Sequence, residues 1–182
     1  AAKVLVLSEG WALADRLMEA LRRVLAELPQ RPAYDPGSEG RYDAFLGDKP
    51  QAIEVGDRSA GVLPYVLIPD VPASAANEPC FEVEAFLALL AQTSLPAPDV
   101  PTYLEHATAF CNDSLYGTLS CCIIVDPNTA KAHADALDQA VAGLRYGSIA
   151  INHWPALAYA FGSTAWGAFP GHTLQDIGSG IG

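Results

Sequence analysis

Basic residues are scarce in this sequence. Its 182 residues hold ten Lys and Arg against twenty-one Asp and Glu, a net charge of −11, and no basic cluster could neutralise a row of phosphates. Nucleic acid is therefore excluded as an expected partner. No apolar run reaches the ~18 to 20 residues that a membrane span requires, so no membrane attachment is expected. The opening AAKVLVLSEG lacks the charged start, long apolar centre and cleavage site of a signal peptide. It begins abruptly on an apolar strand and reads as a cut through a longer protein. None of the four cysteines forms a CxxC pair and no His stands at metal-ligand spacing, so no metal site is expected. Cys121 and Cys122, inside LSCCIIV, fit reduced, buried thiols and with them a cytoplasmic setting. No internal repeat is visible, and no charge-rich low-complexity segment argues for disorder.

What is present describes a globular core. A content of 51% hydrophobic and 17% charged residues, at this length, predicts a single domain over 1–182. With so few charges, one face is expected to pack against further protein. Lys3–Leu7 predicts a strand covered on both faces, followed by Ser8 as a helix cap. Leu13, Leu17, Leu21, Val24 and Leu28 then recur at helical spacing and predict one buried stripe, ended by Pro29 and Pro32. Pro36-Gly37 predicts a turn into a short helix from Ser38. Strands are expected near Ala52–Val55, Tyr65–Ile68 and Leu87–Gln92, with a Pro-rich loop from Pro69 to Pro79. A helix over Thr102–Phe110 precedes the strand Thr118–Val125. A helix over Thr129–Leu144 then leads to the strand Ser148–Asn152. This alternation predicts an α/β fold with a mostly parallel twisted sheet flanked by helices. After Asn152 the chain turns Gly-, Ala- and aromatic-rich, as long loops near a functional face do.

Alternation of this kind is compatible with many activities, because function belongs to sites. Three short signatures are more specific. Glu84-Ala85-Phe86 followed by Leu87-Ala88-Leu89-Leu90 is similar to the Glu-x-Phe-Gly-Pro-Val stretch that enters a strand in aldehyde dehydrogenases. Asn112-Asp113-Ser114-Leu115-Tyr116-Gly117-Thr118-Leu119 resembles the Asn-Asp-x-x-Tyr-Gly-Leu turn before a central strand of that catalytic domain. Leu144 to Asn152, LRYGSIAIN, looks like the Gly-x-Val-x-Val-Asn strand that follows. At the front, Lys3-Val4-Leu5-Val6 is similar to the strand directly after the family's nucleophilic cysteine. Two segments depart from the pattern: Leu87-Ala88-Leu89 stands for Gly-Pro-Val, and Thr164-Ala165-Trp166-Gly167-Ala168 for Ser-Pro-Phe-Gly-Gly.

The resemblance implies a divergent, partial aldehyde dehydrogenase catalytic domain. The parent chemistry oxidises an aldehyde to a carboxylic acid with NAD or NADP, by way of a Cys thiohemiacetal. It places the nucleophile before Ala1, so that this portion lacks the amino-terminal nucleotide-binding domain, holds no catalytic residue and is inactive by itself. Glu84 then matches the carboxylate that holds the nicotinamide ribose, and Phe86 the aromatic that packs on the same end of the cofactor. Read from the residues alone, the alternative is a solvated loop acid at Glu84 and a core residue at Phe86. Trp154, Phe161 and Trp166, with His153, match the region whose aromatics line the aldehyde's approach, or else pack a Gly-rich loop onto the sheet. His106, His133 and His172 receive no role. A homodimer is implied as well. Two other readings remain open: a non-catalytic scaffold that kept the fold, and an unrelated α/β binding domain.

Overall fold

Parallel pairing dominates the architecture. The computed structural model describes residues 3–47 and 49–179, and their backbone contacts group into two compact units, Ala1–Pro96 and Ala97–Gly182, each considered by itself.

In the first unit, β1 (Val4–Ser8), α1 (Ala14–Glu27), α2 (Ser38–Leu46), β2 (Ile53–Val55), β3 (Tyr65–Ile68), α3 (Pro79–Glu82) and β4 (Leu89–Leu95) follow in order. The sheet runs β1-β4-β3-β2. The β1/β4 and β3/β4 pairs are parallel, with Val4 opposite Ala91 and Val66 opposite Leu89, and β2 is antiparallel to β3. Strands covered on both faces read as continuous apolar runs, and YVLI of β3 is such a run, with Val66, Leu67 and Ile68 buried. Tyr42 and Phe45 of α2 are buried in the same unit. Gly37 adopts φ 75 just before α2, a left-handed turn that favours glycine.

Three details differ from the sequence expectation. Ser8 ends β1 and caps no helix; Gly10 turns the chain at φ 71 and α1 starts only at Ala14. The apolar stripe of segment 11–28 is present, but no residue of α1 is buried, and Leu13, Val24 and Leu28 are 44%, 49% and 49% exposed. Periodicity identifies the apolar face of a helix and does not supply a surface to cover it. The central strand begins at Leu89 because Phe86 sits at φ 48, which interrupts the extended backbone that Leu87 would need.

The second unit contains α4 (Val100–Asp113), β5 (Ser120–Ile123), α5 (Pro127–Ala132), α6 (Ala134–Gly143), β6 (Ser148–Ile151) and α7 (Leu157–Ala160). Strands β5 and β6 pair in parallel, Ser120 opposite Ser148. Two aspartates start helices: Asp99 Oδ1 accepts from Thr102 N at 2.9 Å, and Asp126 Oδ1 from Asn128 N and Thr129 N at 2.9 and 3.1 Å, satisfying donors that a helix start leaves unpaired. The expected single helix over Thr129–Leu144 is two helices, broken at His133 (φ −126, ψ 37). Cys122 is exposed, against the expected buried thiol, because a two-stranded sheet leaves one side of β5 open. Across both units three of the four strand pairings are parallel, so the fold is α/β with a mostly parallel arrangement flanked by helices. Among the described residues no helix is long and apolar enough to cross a membrane.

Two of the three signatures meet through one side chain. Asn112, at the end of α4, donates from Nδ2 to the Gly143 carbonyl at 2.9 Å and accepts Arg145 N–H at Oδ1 at 2.8 Å. Arg145 also pairs with Asp113. Asn112→Ala removes both bridges and is expected to cost about 1–2 kcal/mol of unfolding free energy, measured by urea unfolding. An unchanged midpoint would show that water replaces the amide without loss.

Candidate functional site

Glu84 and Phe86 lie on the short segment between α3 and β4. That segment is held at its start by a buried ion pair. Glu78 caps α3 by accepting Cys80 N–H at 3.0 Å, and its other oxygen accepts Lys49 Nζ at 2.9 Å. The Glu78 and Lys49 side chains are 7% and 14% exposed. Burial pushes the Glu78 carboxyl pKa up, but Lys49 and the Cys80 amide outweigh it and hold the group below the usual glutamate range. Pro79 at the first helical position has no N–H to leave unpaired.

Beyond α3 the backbone passes between two cations. Lys3 Nζ donates to the Phe81 and Val83 carbonyls at 3.4 and 3.3 Å. Burial lowers the Lys3 pKa, while the nearby Glu84 carboxylate draws it back. Arg41 Nε donates to the Ala85 carbonyl at 3.0 Å, and its guanidinium carbon stands 5.9 Å from the Phe86 ring centre, within cation–π range. Phe86 is 57% exposed and left-handed, so it is no core residue. Glu84 is half-buried beside a cation, so it is no fully solvated acid either. A carboxylate with this setting can accept two hydroxyl hydrogen bonds, and an exposed ring can cover a flat heterocycle. The pair therefore fits a nicotinamide riboside chemically. Both residues precede β4, at the amino end of parallel strands, whereas open parallel sheets ordinarily bind ligands at the carboxyl ends.

The sequence reading missed Lys3 and Arg41, which reach this segment from 80 and 44 residues away. Basic residues are few here, which was the one available signal. Trp154, Phe161 and Trp166 belong to the second unit and are 70%, 61% and 39% exposed. Trp166 meets Tyr159 edge-on, with ring centres 5.7 Å apart, a partner that spacing alone did not point to. His153 is exposed and its carbonyl accepts the Cys122 thiol at 3.2 Å. His172 Nε2 stands 3.0 Å from Thr118 Oγ1.

Three of the four thiols are held away from the reactive form. Burial pushes Cys80 and Cys111 up to about 12 and Cys121 up to about 11, and the thiolate is the nucleophile. The described residues also hold no group of three His, Cys, Asp or Glu side chains placed to share a metal ion.

No family model matches the chain, and no curated protein does. Solved structures do. A salicylaldehyde dehydrogenase from Pseudomonas putida G7, solved with salicylaldehyde, matches over 91% of this chain with a TM-score of 0.67 and 18% identity. A 1-pyrroline-5-carboxylate dehydrogenase from Thermus thermophilus matches over 93%, with a TM-score of 0.67 and 20% identity. An NADP-dependent glyceraldehyde-3-phosphate dehydrogenase from Bacillus halodurans C-125, solved with NADP, matches over 84%, at 0.64 and 19%. The chain spans about a third of the length of these structures, 33%, 32% and 31% in turn. At such identities the likeness concerns backbone architecture: the chain carries the α/β fold of an aldehyde dehydrogenase catalytic domain.

Proposed function

We propose that this chain forms part of an enzyme that oxidises an aldehyde to a carboxylic acid with NAD or NADP. Glu84 orients the nicotinamide ribose, Phe86 covers the same end of the cofactor, and Trp154, Phe161 and Trp166 line the aldehyde's approach. The observation that carries this reading is the Glu84–Phe86 segment: an accessible carboxylate and an exposed ring, braced by cations, on the segment that enters the central parallel strand. Bound NAD or NADP supplies the hydride acceptor. Glu84 contributes orientation, since two ribose hydroxyls donating to one carboxylate fix the ribose and with it the face of the ring. The resemblance implies an attacking thiolate carried on further protein together with the dinucleotide-binding portion, and the burial that keeps Cys80, Cys111 and Cys121 protonated supports that reading. The exposed stripe of segment 11–28 supports a face covered by further protein, in a cytoplasmic homodimer. By itself the portion is inactive.

One observation favours a scaffold that kept the fold without the chemistry: Leu87-Ala88 replaces the Gly-Pro of the pattern beside Phe86. The whole gene product separates the two. Nicotinamide absorbance is followed over a panel of aldehydes, and NAD and NADP binding by calorimetry. Turnover is expected, and Glu84→Gln is expected to weaken dinucleotide binding about tenfold, the size of one charge-assisted hydrogen bond. Absence of both turnover and dinucleotide binding in the unaltered protein would overturn the enzyme reading in favour of the scaffold.

A further inference from the structure

A carbonyl belongs to the peptide plane that leads into the next residue, and that plane is rigid. The Val83 carbonyl therefore sets the plane entering Glu84, and the Ala85 carbonyl the plane entering Phe86. Lys3 Nζ donates to the first at 3.3 Å and Arg41 Nε to the second at 3.0 Å. Each of the two side chains thus has the backbone on its amino side held by a charged donor from a distant part of the unit.

Both donors are themselves anchored. The Lys3 carbonyl accepts Ala91 N–H at 2.9 Å, continuing the β1/β4 ladder. Arg41 spends its remaining fork on the protein, Nη1 on the Pro36 carbonyl at 2.7 Å and Nη2 on Ser38 Oγ at 3.3 Å, with Phe86 under the guanidinium. Phe86 needs such a hold, because φ 48 is costly for a bulky residue and persists only where the surroundings impose it. A charge-assisted hydrogen bond on each side of Glu84 limits its carboxylate to a narrow range of positions before any ligand arrives, which is preorganisation.

We infer that Lys3 and Arg41 are positioning residues for the dinucleotide half-site of Glu84 and Phe86, acting through the Val83 and Ala85 carbonyls and not by touching the ligand. This rests on the cofactor reading above. Aldehyde recognition is not involved, so the effect belongs to dinucleotide affinity alone.

The test uses the whole gene product, with NAD and NADP as probes in calorimetry and amide hydrogen exchange over segment 83–88. Lys3→Met and Arg41→Met keep the apolar stem and remove the donor. Each is expected to raise the dinucleotide Kd about tenfold and to speed exchange in that segment, with the unfolding midpoint little changed. Lys3→Arg is expected to restore most of the affinity. Unchanged Kd in both Met variants, where Glu84→Gln does weaken binding, would overturn the positioning role and leave the cofactor reading standing. Unchanged Kd in all three would overturn both. If a Met variant does not fold, Arg41→Lys decides: it keeps the charge but loses the planar fork, and a Kd equal to that of the unaltered protein overturns the inference, whereas a raised Kd supports it.

Discussion

Lys49→Met is expected to lower the unfolding free energy by about 3–5 kcal/mol, the cost of leaving a buried charge without its partner. Lys49 Nζ stands 2.9 Å from Glu78 Oε2, and the pair is largely withdrawn from water. A Met of similar length fills the space but cannot donate, so the carboxylate keeps only the Cys80 amide and thiol, neither of them charged. The loss should depend on pH. In the unaltered protein the folded Glu78 pKa is depressed, so its stabilisation is fully present above the unfolded glutamate pKa and disappears as pH falls through the folded one. In Lys49→Met the burial that opposes ionisation is no longer offset by the ammonium, and the folded pKa rises. The group then takes a proton at higher pH, so the gap between the two proteins narrows as pH falls toward the acid range. Urea unfolding at neutral and mildly acidic pH checks both parts. A gap that is small at neutral pH, or constant with pH, would show that the pair stabilises little. The ion pair also secures α3, so Lys49→Met should weaken dinucleotide binding as well, unlike a change confined to the core.

The elements most legible from sequence are those whose cause is local. Tyr65–Ile68 was expected and observed with the same bounds, because four apolar residues bounded by prolines leave little choice. Gly37 marked α2 for a similarly local reason, a left-handed turn before Ser38. Where the cause is tertiary, the sequence was silent. The break at His133 lies in an Ala-rich stretch without Pro or Gly, so nothing in the pattern separates α5 from α6. The apolar stripe of α1 was readable, but its exposure was not, since spacing does not state what lies opposite. At the candidate site, a short motif pointed to Glu84 and Phe86; nothing in it pointed to the cations that hold their segment, because Lys3 and Arg41 become neighbours of that motif only after the β1/β4 ladder and α2 are in place.

Gly147→Ala is expected to cost about 3 kcal/mol, at the upper end of overpacking penalties, and to disturb the aromatic segment beyond β6. A Cβ at position 147 would fall 1.8 Å from the Gly167 carbonyl oxygen and 2.9 Å from the Ala168 carbonyl carbon. These are backbone atoms, which cannot swing aside as a side-chain tip could. Nor can the two segments separate freely, because Gly147 N–H and Phe169 N–H both donate to the Thr118 carbonyl, at 2.8 and 3.0 Å. The second and third signatures and Phe169, which directly follows the divergent Thr164–Ala168 turn, therefore converge on one carbonyl, and the missing Cβ of Gly147 makes the approach possible. Relief of the clash has to move Gly167, and with it Trp166 and its edge-on contact with Tyr159. Urea unfolding should record the loss of stability, and tryptophan fluorescence of the folded variant should report a changed Trp166 environment. A variant as stable as the unaltered protein, with the same emission, would mean that segment 167–169 does not lie against Gly147, and the aromatic lining would lose its support.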